Sequence, residues 1–217
     1  MEVESAMSEE TLFIPAPGFE LEAAIEVPQS GGPHCGVVIC HPHPQYGGDM
    51  HNNVVMCVRK ALANAGMATL RFNFRGVGRS GGGLAGPDGD PEDVAVAVDY
   101  LRGLTEVAAD KVAVVGYSYG AMVGLAAGMI DPRIPAMVGI SPPVAGFRLD
   151  FISRIDHPLL VISGDKDMFC PLDMIRELLH GEAVLEVVDG ADHLYRGYEN
   201  EVGRLTTAFL LEKIGRP

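Results

Sequence analysis

Lys111-Val-Ala-Val-Val-Gly-Tyr-Ser-Tyr-Gly-Ala-Met-Val-Gly-Leu-Ala-Ala-Gly128 decides how the rest of this sequence is read. Val112 to Val115 is an apolar run of the length of a buried strand, and a small-residue stretch of helical character follows Gly120. A serine in Gly-x-Ser-x-Gly spacing, at a strand-to-helix turn, is the arrangement that presents a nucleophilic hydroxyl at the apex of a sharp bend. The apex residue, Ser118, should be conformationally strained. Gly116 and Gly120 let strand and helix pass without a Cβ clash. Gly124, Ala126, Ala127 and Gly128 let that helix pack close on a sheet. A chain with 27 glycines can produce such spacing by chance. The motif gains weight from its strand–turn–helix context and from what other loops supply to Ser118.

The chain's 217 residues are ample for a core and suit one domain, with residues 1–10 as a short flexible arm and 11–217 as the domain. No apolar run approaches the roughly 18–20 residues of a membrane span. Met1 to Glu10 has neither a basic start nor an apolar stretch, which argues against a secretion signal. The net charge of −13 and the scatter of the 16 basic residues disfavour nucleic acid as a partner. Cys35, Cys40, Cys57 and Cys170 show no Cys-x-x-Cys spacing, and three lie in apolar segments. That pattern fits free thiols in a reducing cytoplasm.

Outward from the opening stretch, the sequence alternates between strand and helix. Thr11–Ala16 and the period-2 segment Glu20–Val27 read as an antiparallel hairpin at a sheet edge, with one wet face. Gly36–Cys40 is a strand covered on both sides. Asn52 or Asn53 can cap a helix running to about Ala65, where Gly66 ends it. Met67–Phe74 is a strand, Arg75–Asp90 a glycine-rich loop, and Asp90-Pro91-Glu92 a helix start. Strands at Pro135–Ile140, Pro158–Ser163 and Ala183–Val188 follow, with helices after Pro171 and from Glu199 to Ile214. The sum is an α/β chain with about eight mostly parallel strands and helices on both sheet faces. In such sheets the ligand lies beyond the carboxyl ends of the strands.

A serine hydroxyl needs a base, and histidine is the usual one, oriented by a carboxylate. Of the 7 histidines, only His193 lies in a turn after the last strand, in Asp189-Gly-Ala-Asp-His193. Gly164-Asp-Lys-Asp-Met-Phe-Cys-Pro171 offers Asp165 and Asp167 after the preceding strand. Serine, then acid, then histidine is the chain order of the α/β-hydrolases.

With these residues in place the sequence resembles that superfamily over nearly its whole length. His41-Pro-His-Pro-Gln-Tyr-Gly-Gly48, Arg71-Phe-Asn-Phe-Arg-Gly-Val-Gly-Arg-Ser80 and Gly-Tyr-Ser-Tyr-Gly look like the small cap-less bacterial serine hydrolases related to dienelactone hydrolase and short-chain carboxylesterases. The resemblance implies an α/β-hydrolase fold and selects Asp167, through Gly-x-x-Asp-x-x-Cys-Pro, over Asp165. Asp165 then caps its loop, and Asp192 is structural. An oxyanion hole needs two N–H donors. One is the amide after the nucleophile, Tyr119. The other should come from the loop after the third strand, where the family often has His-Gly-x. Here that points to His43, with Gln45 as second choice, because Pro42 and Pro44 have no N–H. The side chains of His41 and His43 are expected to brace this loop.

Two competing signals are weaker. His41, His43, Asp49 and His51 match no zinc spacing, so no metal is expected. Gly76-Val-Gly-Arg-Ser-Gly81 fits a dinucleotide fingerprint but lacks the helix and the acid that must follow, so no cofactor is implied. The expectation is a catalytic set of Ser118, Asp167 and His193 acting on small carboxylic esters. Thioesters, lactones and small amides are alternative substrates, and a non-catalytic ligand binder is the alternative of another class. Too few residues separate Ile140 from Pro158 for a cap domain. An open, shallow pocket lined by Tyr46, Tyr117, Phe147, Met168 and Phe169 is expected. A small molecule is then the partner, without nucleic acid or membrane, and a homodimer is compatible with this reading.

Overall fold

The computed structural model describes residues 9–29, 31–86 and 90–215. The expected N-terminal arm falls mostly outside them, as does the end of the loop before Asp90. The apolar runs pair into one eight-stranded sheet in the order β1-β2-β4-β3-β5-β6-β7-β8. The strands are β1 (Glu9–Ala16), β2 (Phe19–Glu26), β3 (His34–Cys40), β4 (Ala68–Phe72), β5 (Val107–Tyr117), β6 (Met137–Ile140), β7 (Leu159–Gly164) and β8 (Val184–Val188). β1 and β2 form the antiparallel hairpin, β2 joins β4 antiparallel, and all remaining pairs are parallel.

The helices are α1 (Asn53–Asn64), α2 (Asp90–Arg102), α3 (Tyr119–Ile130), α4 (Leu172–Leu178) and α5 (Glu199–Lys213). Alternation along the strands sends residues to two cores, one on each face. Val38 of β3 and Val112 and Val114 of β5 meet Val94, Val98 and Leu101 of α2 and Met122 and Leu125 of α3. Val37 and Ile39 of β3 and Ala113 and Val115 of β5 meet Val54, Val58 and Leu62 of α1 and Val202 and Leu210 of α5. Each of these buried Val, Leu, Ile and Met side chains contributes roughly 1.5–3 kcal/mol by leaving water. The cap of α1 is Asn52, whose side chain accepts from the Val54 N–H at 2.9 Å.

Two elements depart from the reading of the sequence. β5 begins at Val107, well before the apolar Val112–Val115 run, because the His34 N–H reaches the Glu106 carbonyl at 2.7 Å and a bulge then resets the register at Gly36. The intervening Asp110 and Ala109 are exposed, so hydrophobicity could not mark them as strand. The second face of β2 is covered rather than wet. Glu22 and Glu26 are buried, each against an arginine, Arg79 and Arg59 respectively.

Between β6 and β7 the chain forms only a 3-10 turn, Asp150–Arg154, so no cap stands over the sheet. Strand order reverses between β3 and β5: the chain leaves β3 through α1 on one face and leaves β5 through α3 on the other. A crevice opens at such a switch point. No helix among the described residues is long and apolar enough to cross a membrane. All four cysteines are free, and burial raises each thiol pKa.

Close packing of backbone on backbone fixes Gly120, where a Cβ would lie 2.4 Å from the Cys40 carbonyl oxygen and 2.5 Å from that of His41. Both are backbone atoms, so Gly120→Ala must displace a strand end and should cost about 1–3 kcal/mol of stability. Gly83→Ala, which meets nothing within 4 Å, should change stability by less than about 0.5 kcal/mol. Urea unfolding of the two variants beside the parent protein checks the contrast.

Candidate active site

Six parallel strands, β3 to β8, bring their carboxyl ends, and the loops that follow, to one edge of the sheet. After β5 the chain turns through Ser118, whose φ of 55° and ψ of −116° are far from the ordinary regions for a side chain of this kind. The bend is held by the Ser118 N–H donating to the Ile140 carbonyl at 2.8 Å and by the Ala121 and Met122 amides donating to the Ser118 carbonyl. It also requires Gly116, since a Cβ there would fall 2.1 Å from the Gly120 carbonyl oxygen. Ser118 thus stands at the N-terminus of α3, the positive end of that helix.

The loop after β7 contributes Asp167. Its Oδ1 accepts the Phe169 and Cys170 amides at 2.8 and 3.0 Å. The loop after β8 contributes His193. Nε2 of its ring lies 2.9 Å from Ser118 Oγ, and Nδ1 lies 3.0 and 2.9 Å from the two Asp167 oxygens. The loops meet because Gly164 has no side chain: a Cβ there would lie 2.1 Å from the Ala191 carbonyl oxygen. Asp165 accepts from the Gly190 N–H at 2.6 Å, tying the two loops together, and Asp192 accepts from the Leu194 N–H within its own turn. Burial works to raise the Asp167 pKa, yet interactions with His193, Ser141 and the Phe169 amide outweigh it and hold the carboxyl below its usual range. A carboxylate fixed against Nδ1 leaves Nε2 of a neutral imidazole as the acceptor facing Ser118, the arrangement that lets a histidine take a serine proton.

The loop after β3 lies across from this set. His41 is fully buried and accepts the Phe74 N–H on Nε2 at 3.1 Å, while Nδ1 lies 2.6 Å from the Pro42 carbonyl. Both ring nitrogens are occupied, which assigns the proton to Nδ1 and makes the ring a brace. Burial pushes the His41 pKa down to about 4. The His43 ring packs at a tilt against Tyr119 at 4.7 Å and Tyr46 at 5.1 Å, and His43 Nδ1 accepts the Gln45 N–H at 3.2 Å. Asp49 accepts from the His51 N–H. Among the described residues no group of three or more His, Cys, Asp or Glu side chains could hold a metal ion.

The glycines of the Gly76–Gly81 segment have a different use from phosphate binding. Gly76 and Gly78 take φ values of 75° and 57°, and a Cβ at Gly78 would lie 2.3 Å from Asn73 Nδ2. The turn lets the Arg79 N–H and guanidinium reach Glu22, while Asn73 bonds Glu22 and the Met50 N–H. This buried network fastens the β1–β2 hairpin to the loops around the crevice.

Of the expected pocket residues, Tyr46, Phe147, Met168 and Phe169 are exposed, and the Phe169 ring packs at a tilt against the His193 ring at 4.7 Å. Tyr117 is placed differently. It is buried beneath the site, where its hydroxyl donates to the His193 carbonyl at 2.6 Å, because successive strand residues face opposite sides and Tyr117 falls to the α5 side. A cleft of about 310 Å3 is lined by His43, Gln45, Leu84, Asp90 and Tyr119, the residue that follows Ser118. Leu84 and Asp90 join the cleft without a local sequence motif to mark them; the available signal was their place in and at the end of the segment that follows β4.

With this geometry, the α/β-hydrolase fold family model matches residues 37–152, more than half of the chain. The chain belongs to that family. An uncharacterised protein of Rickettsia prowazekii is 30% identical over 185 residues, spanning 80% of this chain and 77% of its own. An α/β serine hydrolase homologue from Coxiella burnetii superposes with a TM-score of 0.82 at 28% identity, covering 92% of this chain and 96% of the other. A serine hydrolase without lid from Xanthomonas campestris superposes at 0.85 with 25% identity over 97% of each chain. Together these place the protein among the cap-less α/β-hydrolases.

The buried brace predicts a pH effect. An unfolded histidine titrates near 6.5 and folded His41 near 4, so between these values the unfolded chain takes up a proton that the folded protein excludes. Stability is then full above about pH 6.5 and falls as pH drops toward 4, by on the order of 3 kcal/mol from this residue. His41→Gln should be less stable at pH 7 yet show a flatter decline over that window. Parallel urea-denaturation curves for the two proteins would contradict the assignment.

Proposed function

We propose that this protein is a serine hydrolase that cleaves small carboxylic esters through an acyl-enzyme intermediate. The observation that carries the reading is the hydrogen-bonded line from the strained Ser118 through His193 to the buried Asp167, at 2.9 Å on either side of the imidazole. In this reading His193 Nε2 takes the Ser118 proton as Oγ attacks the ester carbonyl carbon, and Asp167 stabilises the imidazolium that forms. His193 then gives that proton to the departing alcohol. A water deprotonated by His193 attacks the acyl-serine, releasing the acid and restoring Ser118.

The amides of Tyr119 and His43 are the proposed donors to the tetrahedral oxyanion. The position of Tyr119 at the start of α3 supports the first, since the helix dipole favours negative charge there. For the second, the Gln45 N–H is already engaged by the His43 ring, which leaves His43 as the better donor. Tyr46, Phe147, Met168 and Phe169 form the proposed substrate rim. We place the reaction in the cytoplasm, on a small diffusible ester; four unpaired cysteines and a net charge of −13 support that setting.

Ser118→Ala should keep the wild-type circular dichroism spectrum and lose ester hydrolysis by roughly 10⁴-fold or more, since the three groups act as a unit. A fluorophosphonate probe should label the wild type and not the variant. Turnover close to wild type in Ser118→Ala would sink the mechanism, and an unlabelled wild type would favour a binding protein.

The absence of a cap between β6 and β7 argues for short substrates. Across a series of p-nitrophenyl esters, kcat/KM should be greatest for acetyl to butyryl chains and decline from octanoyl upward. A maximum at long acyl chains would refute the proposed substrate class.

A further inference from the structure

Tyr117 is the last residue of β5 and works in two directions. Its backbone pairs with Ile140 of β6 and runs directly into Ser118. Its side chain is buried in the core on the α5 side of the sheet, where the hydroxyl lies 2.6 Å from the His193 carbonyl oxygen. A carbonyl oxygen only accepts, so the phenol donates its proton there. Apart from the contact between Ser118 and His193 themselves, this is the one hydrogen bond among the described residues that joins the His193 loop to β5 or to the Ser118 turn.

The other bonds of that loop lead elsewhere. Before the histidine, the Gly190 N–H donates to Asp165, and the Lys166 N–H donates to the Ala191 carbonyl at 3.0 Å. Both partners belong to the loop that carries Asp167. After the histidine, Tyr195 takes a φ of 53°, and its hydroxyl lies 2.7 Å from Ser141 Oγ and 3.3 Å from the Ile162 carbonyl, at the ends of β6 and β7. Backbone of that kind persists where the surroundings over-determine it. The Tyr117 and Tyr195 rings meet edge to face at 6.2 Å. One phenol thus reaches from the sheet to the loop and the other from the loop to the sheet. The bonds to Asp165 and Lys166 set the base against the acid, whereas the Tyr117 bond alone sets it against the strand of the nucleophile.

We infer that Tyr117 is a positioning residue: by donating to the His193 carbonyl it fixes the base loop against β5 and so sets the 2.9 Å spacing of Ser118 Oγ and His193 Nε2. The inference rests on the reading of Ser118 as nucleophile and His193 as its base. Proton transfer needs heavy atoms about 2.6–3.2 Å apart, and a displacement of about 1 Å can cost on the order of a hundredfold in rate. Without the tether, the His193 loop stays bonded to the Asp167 loop, and the pair can shift together away from the serine. Buried as it is, the Tyr117 side chain stays out of a substrate's reach, so its loss should appear in kcat and leave KM in place.

The test uses Tyr117→Phe in the full-length protein, which keeps the ring and removes the hydroxyl. It should lower kcat for p-nitrophenyl acetate about fivefold or more, with KM within about twofold of wild type. The nitrogen-15 NMR resonance of His193 Nε2 reports the hydrogen bond from Ser118 without turnover. In the variant it should move downfield, toward the position of an imidazole nitrogen that accepts no bond. Removing the hydroxyl also leaves a carbonyl without its donor and costs stability, so Leu62→Ala, a cavity in the same core on α1, serves as control. That protein should unfold at lower urea yet keep kcat and the resonance. A folded Tyr117→Phe with wild-type kcat or an unmoved resonance overturns the inference, as does an equal loss of kcat in Leu62→Ala. Should the Phe variant not fold, Tyr117→Leu carries the same expectations and the same refutation. If the wild type shows neither turnover nor fluorophosphonate labelling, the functional reading fails on its own. The resonance still decides whether Tyr117 holds His193 against Ser118: a shift supports the inference, and an unmoved signal overturns it.

Discussion

The near-contact of Gly116 with Gly120 governs the architecture around Ser118. With 2.1 Å between a notional Cβ at position 116 and the Gly120 carbonyl oxygen, only hydrogen fits. The chain therefore reverses from β5 into α3 within a single residue, and that residue must take the positive φ seen at Ser118. Gly120 carries the constraint onward, because it lies against the carbonyls of Cys40 and His41. The helix start is thereby pressed onto the end of β3. One steric condition thus brings together the Ser118 turn and the loop after β3 at the point where strand order reverses.

Around that contact the loops are held by polar bonds, those of His41 and Glu22 buried and that of Asp165 exposed. His41 holds the β3 loop to the amide after β4, Glu22 and Asn73 hold the hairpin to the loops on the same side, and Asp165 ties the Asp167 loop to the His193 loop. A buried donor or acceptor that loses its partner costs more than the bond contributes in net terms. The loops are accordingly held in one arrangement, which a line of three side chains spanning two hydrogen bonds demands. The apolar cores on the two sheet faces provide the bulk stability, while these networks fix position.

The same rules explain which parts of the fold were legible beforehand. Strands β3, β4, β6 and β7 are covered on both faces and read as unbroken apolar runs, and Asn52, Gly66 and Asp90-Pro91 mark helix ends by local chemistry. The first half of β5 was hidden, because Ala109 and Asp110 lie exposed at the bulge and only the pairing of Val107 with His34 starts the strand this early. The buried acids of β2 were misread as facing water, since period-2 alternation cannot tell solvent from a distant arginine.

By itself the sequence determined the α/β alternation, the elbow at Ser118 and the order of serine, acid and histidine, because these depend on residues near one another along the chain. Tertiary structure decided the rest. It turned Tyr117 inward under His193, gave the Gln45 amide to the His43 ring, and joined Ser141 to Tyr195. Each of these is a contact whose occurrence depends on how loops from separate strands settle against each other. Position along a chain records which groups are present, and only packing at the sheet's carboxyl edge sets which of them lie within hydrogen-bonding reach.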